Sequence, residues 1–295
     1  IIAGLGGLAA PLFVTVGGWV TVQSKWTLRK ALIRFIFLYV AQILVNLSAP
    51  QRFDTFSPGV LTLFALLYLT APLWVRISKN IQATMFLGVG IFTLNHLLLS
   101  GHESLDWDDR TFVGGLFEHV KHLFLTGTYP LLPWILFSLF GASLNNFNPS
   151  RRTLLVLGSG GFSISAYFLY RSIQEKIPYA QPSGEAMLTF FPANTAFLIA
   201  ALTGVLLIWA MLENMDSKVG IHHLGRLSLT LYVIHFIPLS VFSDMDLNLY
   251  SASIVTLAYT LLWWPLSVMH QARVPKYSLE NALRSMTEQR KEKGA

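Results

Sequence analysis

The chain contains no cysteine. That excludes a disulfide framework, a thiol nucleophile and any cysteine-held zinc or iron–sulfur site. Charge is also scarce. Only 12% of the 295 residues are charged, against about 25% in a soluble domain. Two-residue alternation of apolar and polar side chains is missing, which argues against an outer-membrane barrel. No short apolar segment with a small-residue cleavage site marks a removable leader.

More than half of the residues, 53%, are hydrophobic, and they come in blocks of roughly 17–23 separated by short polar segments. At 1.5 Å per residue such a block crosses about 30 Å of hydrocarbon. The fold class expected is therefore an all-α integral membrane protein. Nine transmembrane segments are expected, at roughly 3–22, 31–48, 58–75, 82–99, 129–146, 153–171, 190–212, 227–243 and 250–269. The domain reading is one membrane domain over 1–270 and a basic tail over 271–295.

Lysine and arginine set the orientation. Sixteen of the 21 fall in one alternate set of connections, including Lys25, Arg29, Lys30, Arg34, Arg76, Lys79, Arg151, Arg152, Lys218, Arg226 and six in the tail. Ten of the 15 acidic residues fall in the other set. The basic side is expected to be cytoplasmic, in a plasma or inner membrane, with the C-terminus inside. Nine spans then put Ile1 outside, so a tenth helix upstream is expected. In the tail, Leu279, Ala282, Leu283 and Met286 lie at helical spacing and form a short amphipathic stretch suited to a membrane surface.

Ionisable residues inside spans are candidates for function because burying them in hydrocarbon is costly. His235 stands out. Ser228, Tyr232 and His235 recur at i, i+4, i+7 and share a helix face, which suits a general base with polar neighbours or an interhelical hydrogen bond. On the outer side, the loop from Ser100 to Thr128 carries His102, Glu103, Asp106, Asp108, Asp109, Glu118, His119 and His122. Phe112–Leu125 reads as a short surface helix with His119 and His122 one turn apart. A solvated face and a substrate-binding rim both fit, and the His-x-x-His pair is too little for a metal site. Asn95 and His96 lie near the same side. On the basic side, Lys25, Arg29, Arg151, Arg152, His222, His223 and Arg226 could funnel a phosphorylated cofactor, although positive-inside bias alone accounts for them. Asn145, Asn146 and Asn148 suit helix caps. Asn46-Leu-Ser48 matches a glycosylation pattern at a span end.

Four stretches, in order, carry a resemblance: LAAPLFVTVGG from Leu8, YPLLPWILFSLFG from Tyr129, LTFFPANTAFLIAALTGVLLIWAMLE from Leu188, and GRLSLTLYVIH from Gly225. Together they resemble the heparan-α-glucosaminide N-acetyltransferase family of transmembrane acyltransferases. The resemblance implies a bundle of ten or eleven helices. It also implies acetyl-CoA or another acyl-CoA as donor on the cytoplasmic side, no metal, and an acceptor, often a sugar, on the far side. The family's principal histidine would fall before Ile1. Under this reading His235, Tyr232 and Ser228 are the catalytic candidates, the basic residues above bind CoA, and His119, His122, Asn95 and His96 line the acceptor side. The partners are the bilayer, the donor and the acceptor, with no nucleic acid, and a homodimer is left open. A small-solute transporter and a non-catalytic membrane subunit are the competing classes.

Overall fold

The computed structural model describes residues 2–99, 106–212, 222–238 and 247–288. It is almost wholly helical. The helices are α1 (Ile2–Thr21), α2 (Leu28–Ser48), α3 (Val60–Ile77), α4 (Ile81–Leu99), α5 (Trp107–Thr111), α6 (Leu116–Lys121), α7 (Leu131–Phe147), α8 (Arg151–Glu175), α9 (Thr195–Leu212), α10 (His222–Arg226), α11 (Ser228–Ile234), α12 (Leu249–Arg273) and α13 (Leu279–Thr287). A π-helical turn, His122–Thr126, continues α6. Ala180–Gln181 (β1) and Leu188–Thr189 (β2) form a two-residue parallel pair.

Among the described residues, five helices are long and apolar enough to cross a membrane: α2, α3, α8, α9 and α12. A sixth arises if Leu116–Thr126 and Leu131–Phe147, bent by 42°, make one broken span. Gly7–Thr21, Ile81–Leu97 and Ser228–Pro238 are shorter apolar helices. The eighth expected segment, 227–243, differs from its prediction. Its described part is the shorter apolar helix Ser228–Pro238, with a single turn residue at His235 after α11, and residues 239–246 lie outside the described part.

Two compact units emerge, Ile1–Leu38 with Phe56–Met215, and Tyr39–Thr55 with Asp216–Ala295. In the first, α7 packs against α1, α3 and α4, while α8 packs on α9. The α1–α7 crossing is unusually close because small residues face each other there. A Cβ on Gly141 would lie 1.9 Å from the Thr15 carbonyl oxygen, and one on Gly18 would lie 2.2 Å from that of Ser138. The α8–α9 contact uses the same device, with Gly161 against the Thr203 hydroxyl. Lipid gives no hydrophobic drive for helices to associate, so close backbone approach and dispersion take over. The core of this unit holds Trp134, Phe137, Leu63, Leu67 and Leu198, all nearly inaccessible. The outer faces are apolar too. Only 11% of the α8 window is buried, and its Val156, Phe162 and Ile173 are exposed. Its serines turn back on their own helix, Ser159 to the Leu155 carbonyl and Ser163 to the Ser159 carbonyl, which leaves little polarity to meet lipid.

Ends are capped as the composition suggests. Ser150 accepts from the Thr153 amide at the start of α8. Asn148 ends α7 in the left-handed region at φ 40°, where asparagine is tolerated. Asn146 donates to the carbonyl and hydroxyl oxygens of Ser78, tying the end of α7 to the α3–α4 turn.

The second unit contains the later part of α2, then α10 to α13. Asn46 is buried there. Its Nδ2 donates to the Thr55 carbonyl and its Oδ1 accepts from Gln42, so the glycosylation pattern at Asn46 describes a packed side chain. The amphipathic tail helix exists as α13, with Ser278 as its cap.

Candidate functional site

In the second unit, His235 follows α11 directly and is half-buried. Its Nδ1 lies 2.7 Å from the Tyr232 carbonyl oxygen and 3.2 Å from that of Leu231. A carbonyl only accepts, so Nδ1 carries the hydrogen. The neutral ring therefore presents its lone pair on Nε2. The ring packs edge-on to Tyr232, with centroids 5.5 Å apart, and against Phe236 at 4.2 Å. Tyr259 of α12 donates to the His235 carbonyl at 2.6 Å, fixing the backbone where α11 ends.

Of the expected trio, Tyr232 and His235 meet. Ser228 opens α11 two turns, about 10 Å, before His235 on the same helix. The start of α11 belongs to a residue outside the expected set. Glu280, from α13, accepts the Leu229 and Thr230 amides at 2.7 and 2.9 Å and the Thr230 hydroxyl at 2.6 Å. A carboxylate suits these unsatisfied amides at a helix N-terminus. His223 is engaged as well, its Nδ1 lying 3.0 Å from Gln271 Oε1. Arg226 is exposed. The side chain of His222 lies outside the described residues, as do His102, Glu103 and Lys218.

In the first unit, the segment 106–128 folds into a cap that buries Arg110, Thr111, His122, Thr126 and Thr128. Arg110 is fully buried and donates to the Thr126 carbonyl at 3.0 Å. Burial pushes its guanidinium down to about 10, with Asp109 opposing the shift, so it stays charged at neutral pH. His122 is also buried. Its Nε2 lies 3.1 Å from the Phe112 carbonyl and its Nδ1 2.8 Å from the Thr126 hydroxyl. The carbonyl assigns the hydrogen to Nε2, and Nδ1 accepts from Thr126. Both nitrogens of the neutral ring are then committed. Glu118 Oε1 stands 4.0 Å away. Burial holds both His119 and His122 below the ordinary histidine value; His122 lowers His119 further, while Lys121 and Arg110 lower His122 against the Phe112 carbonyl and Glu118. Leu116 and Phe117 point outward, each more than three-quarters exposed, and so do Asp106, Asp108 and Asp109. His122 is thus a structural pin, neither a solvated face nor a free base.

Beneath this cap, Tyr129, Trp134, Phe190, Phe191 and Phe197 form an aromatic cluster that Trp107 joins through Phe191. The Trp134 Nε1–H is buried with no hydrogen-bond acceptor. Asn95 donates to the Ala193 carbonyl at 3.1 Å, and His96 Nδ1 lies 3.2 Å from the Thr195 hydroxyl. Asn95 and His96 therefore brace the segment leading into α9.

Near the first turns of α2, Arg34 sits over the stacked rings of Trp26 and Tyr68, at 4.9 and 5.1 Å. Lys25 and Arg29, exposed, lie close by in sequence. Sequence reasoning counted Arg34 only as a positive-inside residue. The signal was there in its position, one to two turns inside an apolar helix. No group of three or more potential metal ligands occurs among the described residues.

No family model, curated protein or solved structure matches the chain.

Proposed function

We propose that the chain is a polytopic membrane acyltransferase with nine spans. It would move an acetyl or other acyl group from acyl-CoA to an acceptor across the membrane, a sugar by the family resemblance. The observation that carries this reading is His235, a half-buried histidine in a membrane segment whose Nδ1–H is held by backbone carbonyls, leaving Nε2 as the basic nitrogen. In the reaction, Nε2 takes the proton from the acceptor hydroxyl or amine as that atom attacks the thioester carbonyl. The tetrahedral intermediate then collapses, the carbon–sulfur bond breaks, and the imidazolium returns the proton to the CoA sulfur. The Tyr232 hydroxyl is the nearest candidate for holding the developing oxyanion. In the same unit as His235, Arg226 and His223 are the candidates for the phosphates of the donor. The C-terminus would face the cytoplasm and the 106–128 cap the acceptor side.

The test is turnover. Purified protein with labelled acetyl-CoA should release free CoA in the presence of a sugar amine or alcohol, and His235→Gln should abolish that release while leaving the thermal midpoint unchanged. Undiminished release by His235→Gln would refute the assignment.

A small-solute transporter is the competing class carried over from the sequence. Uptake into proteoliposomes without CoA release would select it.

A further inference from the structure

α4 and α7 run in opposite directions and leave a groove between them of about 340 Å³. Ile81, Thr84, Met85 and Val89 of α4 form one wall, and Phe140 and Ser143 of α7 form part of the other. The lining is almost entirely apolar. Met85 and Val89 are each more than 60% exposed, so the groove opens sideways, toward whatever surrounds the bundle.

One end of this groove is strongly basic. It begins at the first turn of α4 and the last turns of α7. The Asn146–Ser78 hydrogen bonds hold that end of α7 to the α3–α4 turn. The same turn carries Arg76 and Lys79, and Arg151 and Arg152 follow α7 after three residues. All four are exposed, and none forms an ion pair among the described residues. A channel for hydrocarbon therefore ends at four exposed cations.

From this juxtaposition we infer that the α4–α7 groove binds one anionic phospholipid, with an acyl chain along Met85, Val89 and Phe140 and the phosphate on Arg76, Lys79, Arg151 and Arg152. The occupant must be both long-chained and anionic. A zwitterionic lipid would fill the groove but leave the cations unmatched, and a soluble phosphate would match the cations but leave the groove empty. The inference is independent of acyl transfer. It removes Arg151 and Arg152 from the candidate CoA site and gives them to lipid.

The full-length protein in detergent would be titrated with phosphatidylglycerol and with phosphatidylcholine of equal chain length, and bound lipid counted by native mass spectrometry. The expected result is one tight phosphatidylglycerol, held at least tenfold more strongly than phosphatidylcholine. Removing two charges in Arg151→Gln/Arg152→Gln should weaken it by roughly 25-fold, since each cation near the surface contributes about a fivefold factor. Gly88 lines the groove, and its nearest neighbour to an added Cβ is 4.0 Å away. Gly88→Leu should therefore fill the groove without disturbing the fold and should lower affinity for the long-chain lipid. A six-carbon-chain phosphatidylglycerol and inorganic phosphate should both fail to compete. Equal binding of the two headgroups, unchanged selectivity in the arginine variant, unchanged affinity in Gly88→Leu, or displacement of the lipid by millimolar free CoA would each overturn the assignment.

Discussion

Replacing Gly141 by alanine is the sharpest probe of how this bundle holds together. The added methyl would sit 1.9 Å from the Thr15 carbonyl oxygen, 2.8 Å from its carbon and 2.9 Å from the Trp19 nitrogen. A carbon resting against a carbonyl oxygen needs about 3.3 Å, so α1 must move away by roughly 1.4 Å. Backbone is on both sides, and no flexible side chain can yield. A gap of 0.5–1 Å already forfeits about a quarter to a half of each dispersion contact, and α1–α7 is the most extensive helix pair in the first unit. We expect a loss of about 3 kcal/mol, the upper end of the overpacking range. Gly160 is the matched control. It lies in α8, and an added Cβ there meets nothing within 4 Å. Gly160→Ala should be neutral or slightly stabilising, because alanine favours helix. Thermal unfolding in a fixed detergent, followed by tryptophan fluorescence, reads both variants, and Trp19 lies at the affected crossing. Gly18→Ala with Gly141→Ala should cost less than the sum of the two, since one displacement relieves both clashes. If Gly141→Ala and Gly160→Ala unfold at the same temperature, the close crossing does not exist as described.

The outer cap should weaken in acid. His122 has its value lowered by burial, so the folded form resists a proton that the unfolded chain accepts near pH 6.5. The stability it contributes is complete above that pH and falls as the pH drops through the lower folded value. Protection factors at residues 112–126, corrected for the intrinsic exchange rate at each pH, should fall between pH 7.5 and 5, and His122→Asn should flatten that dependence. Arg110→Lys should destabilise the cap by about 1–3 kcal/mol, because an ammonium lacks the planar fork that reaches the Thr126 carbonyl; a cap-specific rise in proteolysis checks it. Glu280→Ala should lower the stability of the second unit by about 1–2 kcal/mol, with faster exchange at the Leu229 and Thr230 amides and none of that change in the first unit.

Much of the helical architecture was legible because hydrocarbon thickness imposes a length on apolar segments. Asn148 as a cap and the short helix through His119 and His122 were equally readable, since both rest on local rules. What the sequence hid depends on partners far along the chain. The role of Glu280 is set by an amide 50 residues earlier, and nothing near Glu280 marks it. His122 looked like a solvated or substrate-facing residue because its loop is acidic and polar. The fold turns that loop over, exposing Leu116 and Phe117 and burying Arg110 with His122. Arg34 was absorbed into a charge count when its distinguishing feature is the pair of rings beneath it.

The clasp between Glu280 and α11 also sets an order of events in synthesis. α11 leaves the ribosome with its leading amides open, and the carboxylate that answers them is made 50 residues later. Until α12 has been threaded and α13 has emerged, the segment bearing His235 lacks its N-terminal anchor. A helix made later therefore completes the histidine's setting. A truncation just before Ser278 would leave every residue around His235 in place yet remove what holds the start of its helix. Fusions and deletions at this end are consequently changes to the candidate site, although they lie far from it in sequence.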